Sequence, residues 1–207
     1  MKRSLSAALL VLAVTAPLVA QAPKGWMVRP DRSTSASDPD KAGTIKFVTM
    51  GQGFHATNPQ AAVYWNPANT ATGAYTLKGT FVLQKPIDHT NFYGIVFGGS
   101  DLDNAKQSYL YFLVAQDGTW LLKKRDGDAS ASNVVGKTAN AAVKQPDASG
   151  KSTNALEVRV GATNVELVVN GTVVHTMPKA GLKTDGIYGI RVNHLLEVQV
   201  DGLAVSK

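Results

Sequence analysis

The chain has 207 residues, no cysteine, and a formal net charge of +6 that is spread thinly along it. The missing thiol excludes cysteine nucleophiles, zinc–thiolate sites, iron–sulfur clusters and disulfide support, so an apolar core must carry the stability. Basic residues cluster once, at Lys123-Lys124-Arg125 beside an Asp126-Gly127 turn, and no basic stripe is interleaved with aromatics, which argues against nucleic acid as a partner.

Met1-Lys2-Arg3, the apolar run Leu5–Ala20 and the small-x-small Ala20-Gln21-Ala22 have the layout of a cleavable export signal over residues 1–22. The run is 16 residues long and broken by Pro17, short of the roughly 20 that a membrane helix needs, and no cysteine follows to take a lipid anchor. The expectation is a secreted or periplasmic protein with no membrane span. Residues 23–43 are polar and breaker-rich and read as a flexible leader, with Trp26 the one residue suited to dock on the folded domain of 44–207.

Within that domain, short apolar alternations separated by turns predict strands near Ile45–Met50, Ala62–Trp65, Tyr75–Lys85, Phe92–Gly98, Ser108–Ala115 and Thr119–Arg125. Asp126–Gly150 is weakly patterned and reads as a long connection with one strand near Asn133–Lys137. From Asn154 the alternation is almost continuous: Leu156, Val158 and Val160, then Val165, Leu167 and Val169. Asn170-Gly171 follows, the pair best suited to a two-residue hairpin turn because both central residues need φ > 0. Strands at Thr172–Met177, Ile187–Asn193 and Leu195–Val200 complete the series. One strand every 8–12 residues with no amphipathic helix indicates an all-β sandwich of two antiparallel sheets.

Several blocks carry a closer likeness. Gly73–Phe81, Tyr93–Gly99, Tyr109–Val114 with Asp117-Gly118, Asn154–Val160, Val168–Gly171 and Gly186–Val192 together resemble concanavalin A-like jelly-roll domains. The pattern is similar to laminin-G-like and 3-keto-disaccharide hydrolase domains, the latter related to family 16 glycoside hydrolases. That resemblance implies a jelly-roll sandwich, a carbohydrate or glycoconjugate partner, and a structural calcium or another divalent metal. Ordinary retaining glycosidase chemistry does not follow. It needs two carboxyls about 5–5.5 Å apart, and the only glutamates are Glu157, Glu166 and Glu197, one on each of three strands.

Cleavage of a 3-keto-glycoside by elimination needs a base and an enolate stabiliser instead. Arg191, His194 and His55 are the candidates for those catalytic roles. Convergence of two or more of His55, His89, Arg191, His194 and an aspartate in one concavity would favour an enzyme. Sugar binding asks for a flat aromatic ringed by hydrogen-bonding groups. Tyr64, Trp65, Asn66, His89, Asn91, Tyr93 and Asn193 are the candidates, with the best rims at Tyr64–Pro67 and His89–Phe92. Asp101 and Asp103, after the Gly98-Gly99 bend, offer oxygens to a calcium ion. The three functional expectations are a carbohydrate-binding module, a 3-keto-glycoside hydrolase or lyase, and a protein-interaction module.

Overall fold

The structure is a computed structural model that describes residues 22–33 and 35–207, so the expected export signal lies outside the described residues except for Ala22. Fourteen strands form two seven-stranded antiparallel sheets, with no helix among the described residues. Sheet A runs in the order β1 (Met27–Asp31), β4 (Ala61–Ala71), β13 (Gly186–Val192), β6 (Phe92–Ser100), β7 (Ser108–Ala115), β8 (Thr119–Asp126) and β9 (Ala131–Ala139). Sheet B runs β12 (Thr172–Pro178), β11 (Asn164–Val169), β10 (Ser152–Val160), β5 (Tyr75–Leu83), β14 (Glu197–Ser206), β3 (Gly53–Thr57) and β2 (Lys46–Met50). Among the described residues, no helix is long and apolar enough to cross a membrane.

The period-2 alternation decides which side chains fill the space between the sheets. Tyr64, Ile95, Phe97, Phe112, Trp120 and Ile190 from sheet A meet Leu77, Phe81, Leu156, Val158, Leu167 and Val198 from sheet B in one core. At the Asn170-Gly171 hairpin both residues have φ > 0, at 50° and 81°, as the sequence predicts. The Asn170 side chain also ties that turn to the domain. Its Oδ1 accepts from Ala155 N at 2.9 Å and its Nδ2 donates to Ala142 O at 2.7 Å.

Part of the segment expected as a flexible leader is ordered instead. Met27–Asp31 pairs with Asp31↔Ala61 to Met27↔Trp65 along the edge of sheet A. Trp26 docks as expected, its ring 4.4 Å from Phe54 and 5.6 Å from Phe47. A second unforeseen strand, β3, lies between β2 and β14. The β4 strand continues through Pro67 to Ala71, because Pro67 falls where the β4–β13 register shifts and no ladder donor is required.

Candidate functional site

Sheet A carries a second apolar cluster on the face turned away from sheet B. Val63, Trp65, Val96, Tyr109, Tyr111, Leu113 and Leu121 pack there, each at the alternate position to a core residue. Arg191 projects among them and is only 7% exposed. Its Nη2 donates to Asp31 Oδ2 at 2.6 Å, its Nη1 to the Tyr109 hydroxyl at 3.1 Å and its Nε to Asn193 Oδ1 at 3.0 Å. The guanidinium also sits 5.3 Å from the centre of the Tyr111 ring.

Asp31 accepts a further bond from Arg125, so one carboxylate serves two buried cations. Burial pushes the Asp31 carboxyl up, but Arg191 and Arg125 outweigh it and hold the group below the usual carboxylate range. Burial, followed by repulsion from Arg191 and Arg125, lowers the pKa of neighbouring Lys123.

The principal open concavity near the sequence candidates lies at one end of the sandwich. It is a groove of about 510 Å³, walled by Lys41, Lys46, Lys85, Asp88, His89 and Glu197 over Pro59, Ile87, Leu195 and Leu196. The β5–β6 loop supplies one wall and is itself braced. Gln116 Oε1 accepts from Ile87 N at 2.9 Å, and its Nε2 donates to Ile87 O at 2.6 Å. The Thr90 hydroxyl donates to Asp117 Oδ2 at 2.8 Å, and Lys137 pairs with that carboxylate at 2.7 Å. Partial burial acts to raise the Asp117 pKa, but the Lys137, Thr119 and Thr90 bonds dominate and hold it at about 2.

At the edge of this groove His89 meets His194. Their Nε2 atoms are 3.3 Å apart, and both approach Asp38 Oδ1, at 3.2 Å from His89 and 2.9 Å from His194. The β13–β14 turn that presents His194 is pinned on both sides. Asn91 Nδ2 donates to His194 O at 2.8 Å, and Leu195, held in the left-handed region at φ 64°, donates its N–H to Asn58 O at 2.6 Å.

The sequence candidates therefore separate. His89 and His194 come together and Arg191 joins Asn193, but His55 goes elsewhere. It lies on β3 with its ring toward Glu197 at 3.1 Å, at the alternate position to core residue Ala56. Arg191 and His55 thus occupy the opposite outer faces of the sandwich, and the expected catalytic trio is not assembled.

Tyr64 and Tyr93, expected at a binding rim, are wholly buried core residues, because alternation turns them toward sheet B. Tyr64 donates its hydroxyl to Asn58, and Tyr93 packs 6.2 Å from Phe81. Trp65 does face away from sheet B but is 3% exposed, packed in the second cluster rather than presented as a platform. Asn66 lies within β4 and accepts from Ala68 N at 3.0 Å, and Asn91 is spent on the His194 backbone. Asp101 and Asp103 lie exposed on the loop after β6, where Asp103 accepts from Asn104 Nδ2 at 3.0 Å. Sequence reasoning missed Asp31 and Asp38, both placed in a stretch read as unstructured. The only signal for them was an acidic residue repeatedly flanked by Pro, which resembles a turn.

No protein-family model matches the chain, and no curated protein does. The likeness is one of structure. A carbohydrate-binding module of family 66 from Bacillus subtilis superposes with a TM-score of 0.62 at 10% identity, covering 88% of this chain and 96% of that one. The carbohydrate recognition domain of Emp46p gives 0.57 at 13% identity, covering 87% and 88%. A family 16 glycoside hydrolase from Bacteroides ovatus, in complex with a mixed-linkage glucan product, gives 0.57 at 9% identity, covering 91% and 97%. The fold is accordingly a concanavalin A-like jelly roll, the architecture shared by these lectin-type modules and family 16 hydrolases.

Proposed function

We propose that the chain is a carbohydrate- or glycoconjugate-binding jelly roll whose ligand lies in the groove at the end of the sandwich. The observation that carries this is the groove itself. It is about 510 Å³, with Lys41, Lys85, Asp88, His89 and Glu197 arranged around a floor of Pro59, Ile87, Leu195 and Leu196. Paired hydrogen-bonding groups over small apolar surfaces suit a sugar, which presents hydroxyls at its rim and C–H groups on its faces. The fold supports the reading, since modules of this architecture named for carbohydrate recognition superpose along most of their length. A glycan array followed by calorimetry tests it. Asp88→Ala and Lys85→Ala, at exposed loop positions, are expected to weaken glycan binding about tenfold or more, the cost of one or two charge-assisted hydrogen bonds, with the melting temperature unchanged. Retention of no glycan, or equal affinity in both variants, would remove the assignment.

One observation favours a second reading, a hydrolase or lyase for 3-keto-glycosides. His89, His194 and Asp38 converge at the groove edge, the kind of cluster that holds a general base. Incubation with a 3-keto-glucoside separates the two. Turnover that disappears in His194→Ala supports the enzyme, and its absence from the wild-type chain leaves the binding module.

A further inference from the structure

Three atoms at the groove edge form a tight triangle of groups that can each ligate a metal. Asp38 Oδ1, His89 Nε2 and His194 Nε2 lie 2.9, 3.2 and 3.3 Å from one another. A neutral imidazole offers each ring nitrogen as either a donor or an acceptor, never both. If both Nε2 atoms carry hydrogens, both can donate to the one oxygen, but the two nitrogens then stand 3.3 Å apart with no bond between them. If one is bare, its lone pair is directed at the carboxylate. A single cation in the middle satisfies all three atoms at once. The spacing agrees with this, because bonds of about 2.0–2.1 Å to a tetrahedral ion set donor atoms roughly 3.3 Å apart.

A second, independent feature lies behind His194. Asp40 Oδ1 is buried with no hydrogen-bond partner, and it stands 3.8 Å from His194 Nδ1. An imidazole that ligates a metal through Nε2 keeps its hydrogen on Nδ1, and metal-binding histidines characteristically donate that N–H to a carboxylate. The orphaned oxygen is placed to receive it after a small closure. The backbone is also fixed for the purpose, with His194 O held by Asn91 and the following residue locked at positive φ.

We propose that Asp38, His89 and His194 form a binding site for a first-row divalent transition metal, oriented by Asp40. Two imidazoles and one carboxylate suit zinc and its neighbours, whereas calcium requires six to eight oxygens. This site is separate from the exposed Asp101–Asp103 loop. Three protein ligands leave a coordination position for water or for a hydroxyl of a ligand in the adjoining groove, which His89 also lines. The ion clips the segment around Asp38 to the turns before β6 and before β14. The inference rests on this geometry and not on the carbohydrate reading.

The experiment uses the purified chain without a polyhistidine tag, stripped with a chelator and titrated with Zn²⁺ by calorimetry. Co²⁺ is titrated in parallel and followed by its visible d–d bands. The expected result is one metal per chain, a Co²⁺ spectrum displaced by Zn²⁺, and affinity reduced at least tenfold in His89→Ala and in Asp38→Ala. Asp40→Asn is expected to reduce it by roughly 10- to 100-fold, the usual cost of losing a ligand's orienting partner. His55→Ala on β3 and His175→Ala on β12, at the two histidines outside the cluster, bind as the wild type does. Because His194 is buried, the half-exposed His89 keeps the test valid if His194→Ala fails to fold. The site is overturned if Zn²⁺ does not bind the wild type, if it binds equally well to His89→Ala and Asp38→Ala, or if Ca²⁺ displaces Co²⁺ as readily as Zn²⁺ does. Glycan binding is measured separately and can fail without affecting this result.

Discussion

Asp31 shows how much one side chain governs on the outer face of sheet A. It is the shared counterion of Arg125 and Arg191, whose side chains are 9% and 8% exposed. Removing one partner of a buried pair leaves the other charge uncompensated, so Asp31→Asn is expected to destabilise the domain by about 3 kcal/mol in urea or guanidinium unfolding. A loss below about 0.5 kcal/mol, the level of an unremarkable surface change, would mean that the arginines find other partners. The acid limb carries the same signature. The folded pKa of Asp31 lies below the unfolded value of about 3.9. Its contribution is therefore complete above about pH 4 and disappears as pH falls through the lower folded value. Acid titration of stability should be shallower below pH 4 in Asp31→Asn than in the wild type.

At the scale of elements, β1 is held by its ladder to β4 and by Trp26, which packs edge-on against Phe47 and tilted against Phe54 of sheet B. Trp26→Ala is expected to cost about 2–3 kcal/mol, less than for a fully buried tryptophan, and to increase amide exchange selectively along Met27–Asp31. Uniform exchange across sheet A would refute that picture. Gly98 illustrates a different constraint. It has φ 62°, and a Cβ there would meet Lys183 O at 1.9 Å, whereas Gly51 has φ 59° with open space around it. Gly51→Ala carries only the left-handed penalty of about 1–2 kcal/mol. Gly98→Ala adds a backbone collision and should lose clearly more in the same thermal melt.

These elements also show where the sequence was readable. Most strands from Tyr75 to Val200 announced themselves because they place one row of apolar residues against a single continuous core, whereas the exposed β9 gave only a weak pattern. Gly53–Thr57 did not, since glycines at 51 and 53 imitate a turn and only Phe54 and Ala56 alternate. Met27–Asp31 did not because it contains Pro30 and sits on an edge, paired on one side only. Arg191 and Asn193 do meet, although β13 ends at Val192 so that Asn193 lies just past the strand, and His194 falls in the following turn as expected. The partners Asp31 and Asp38 were invisible, because alternation says which face a residue takes but not which distant chain crosses it. Tyr64 and Tyr93 were misplaced for the opposite reason: their polar neighbours suggested a rim, but strand parity sends the rings inward.

Across the whole molecule, one core runs between both sheets, with no cysteine to divide or pin it. Unfolding should be a single cooperative transition, coincident by near- and far-ultraviolet circular dichroism and unchanged by a reductant. Two separated transitions would show that the sheets melt independently. The second cluster on sheet A and the groove at the sandwich end are built on this frame, and each depends on a carboxylate from the first forty residues. Asp31 reaches Arg191 across 160 positions and Asp38 reaches His194 across 156. A chain that emerges from its N-terminus must therefore present these acids long before the last of their basic partners exists. His89 and Arg125 reach Asp38 and Asp31 first, but neither the guanidinium network nor the histidine cluster is complete until β13 and the turn after it have arrived. A chain cut between β12 and β13 would keep most strands but lack Arg191 and His194, the last partners of these acids.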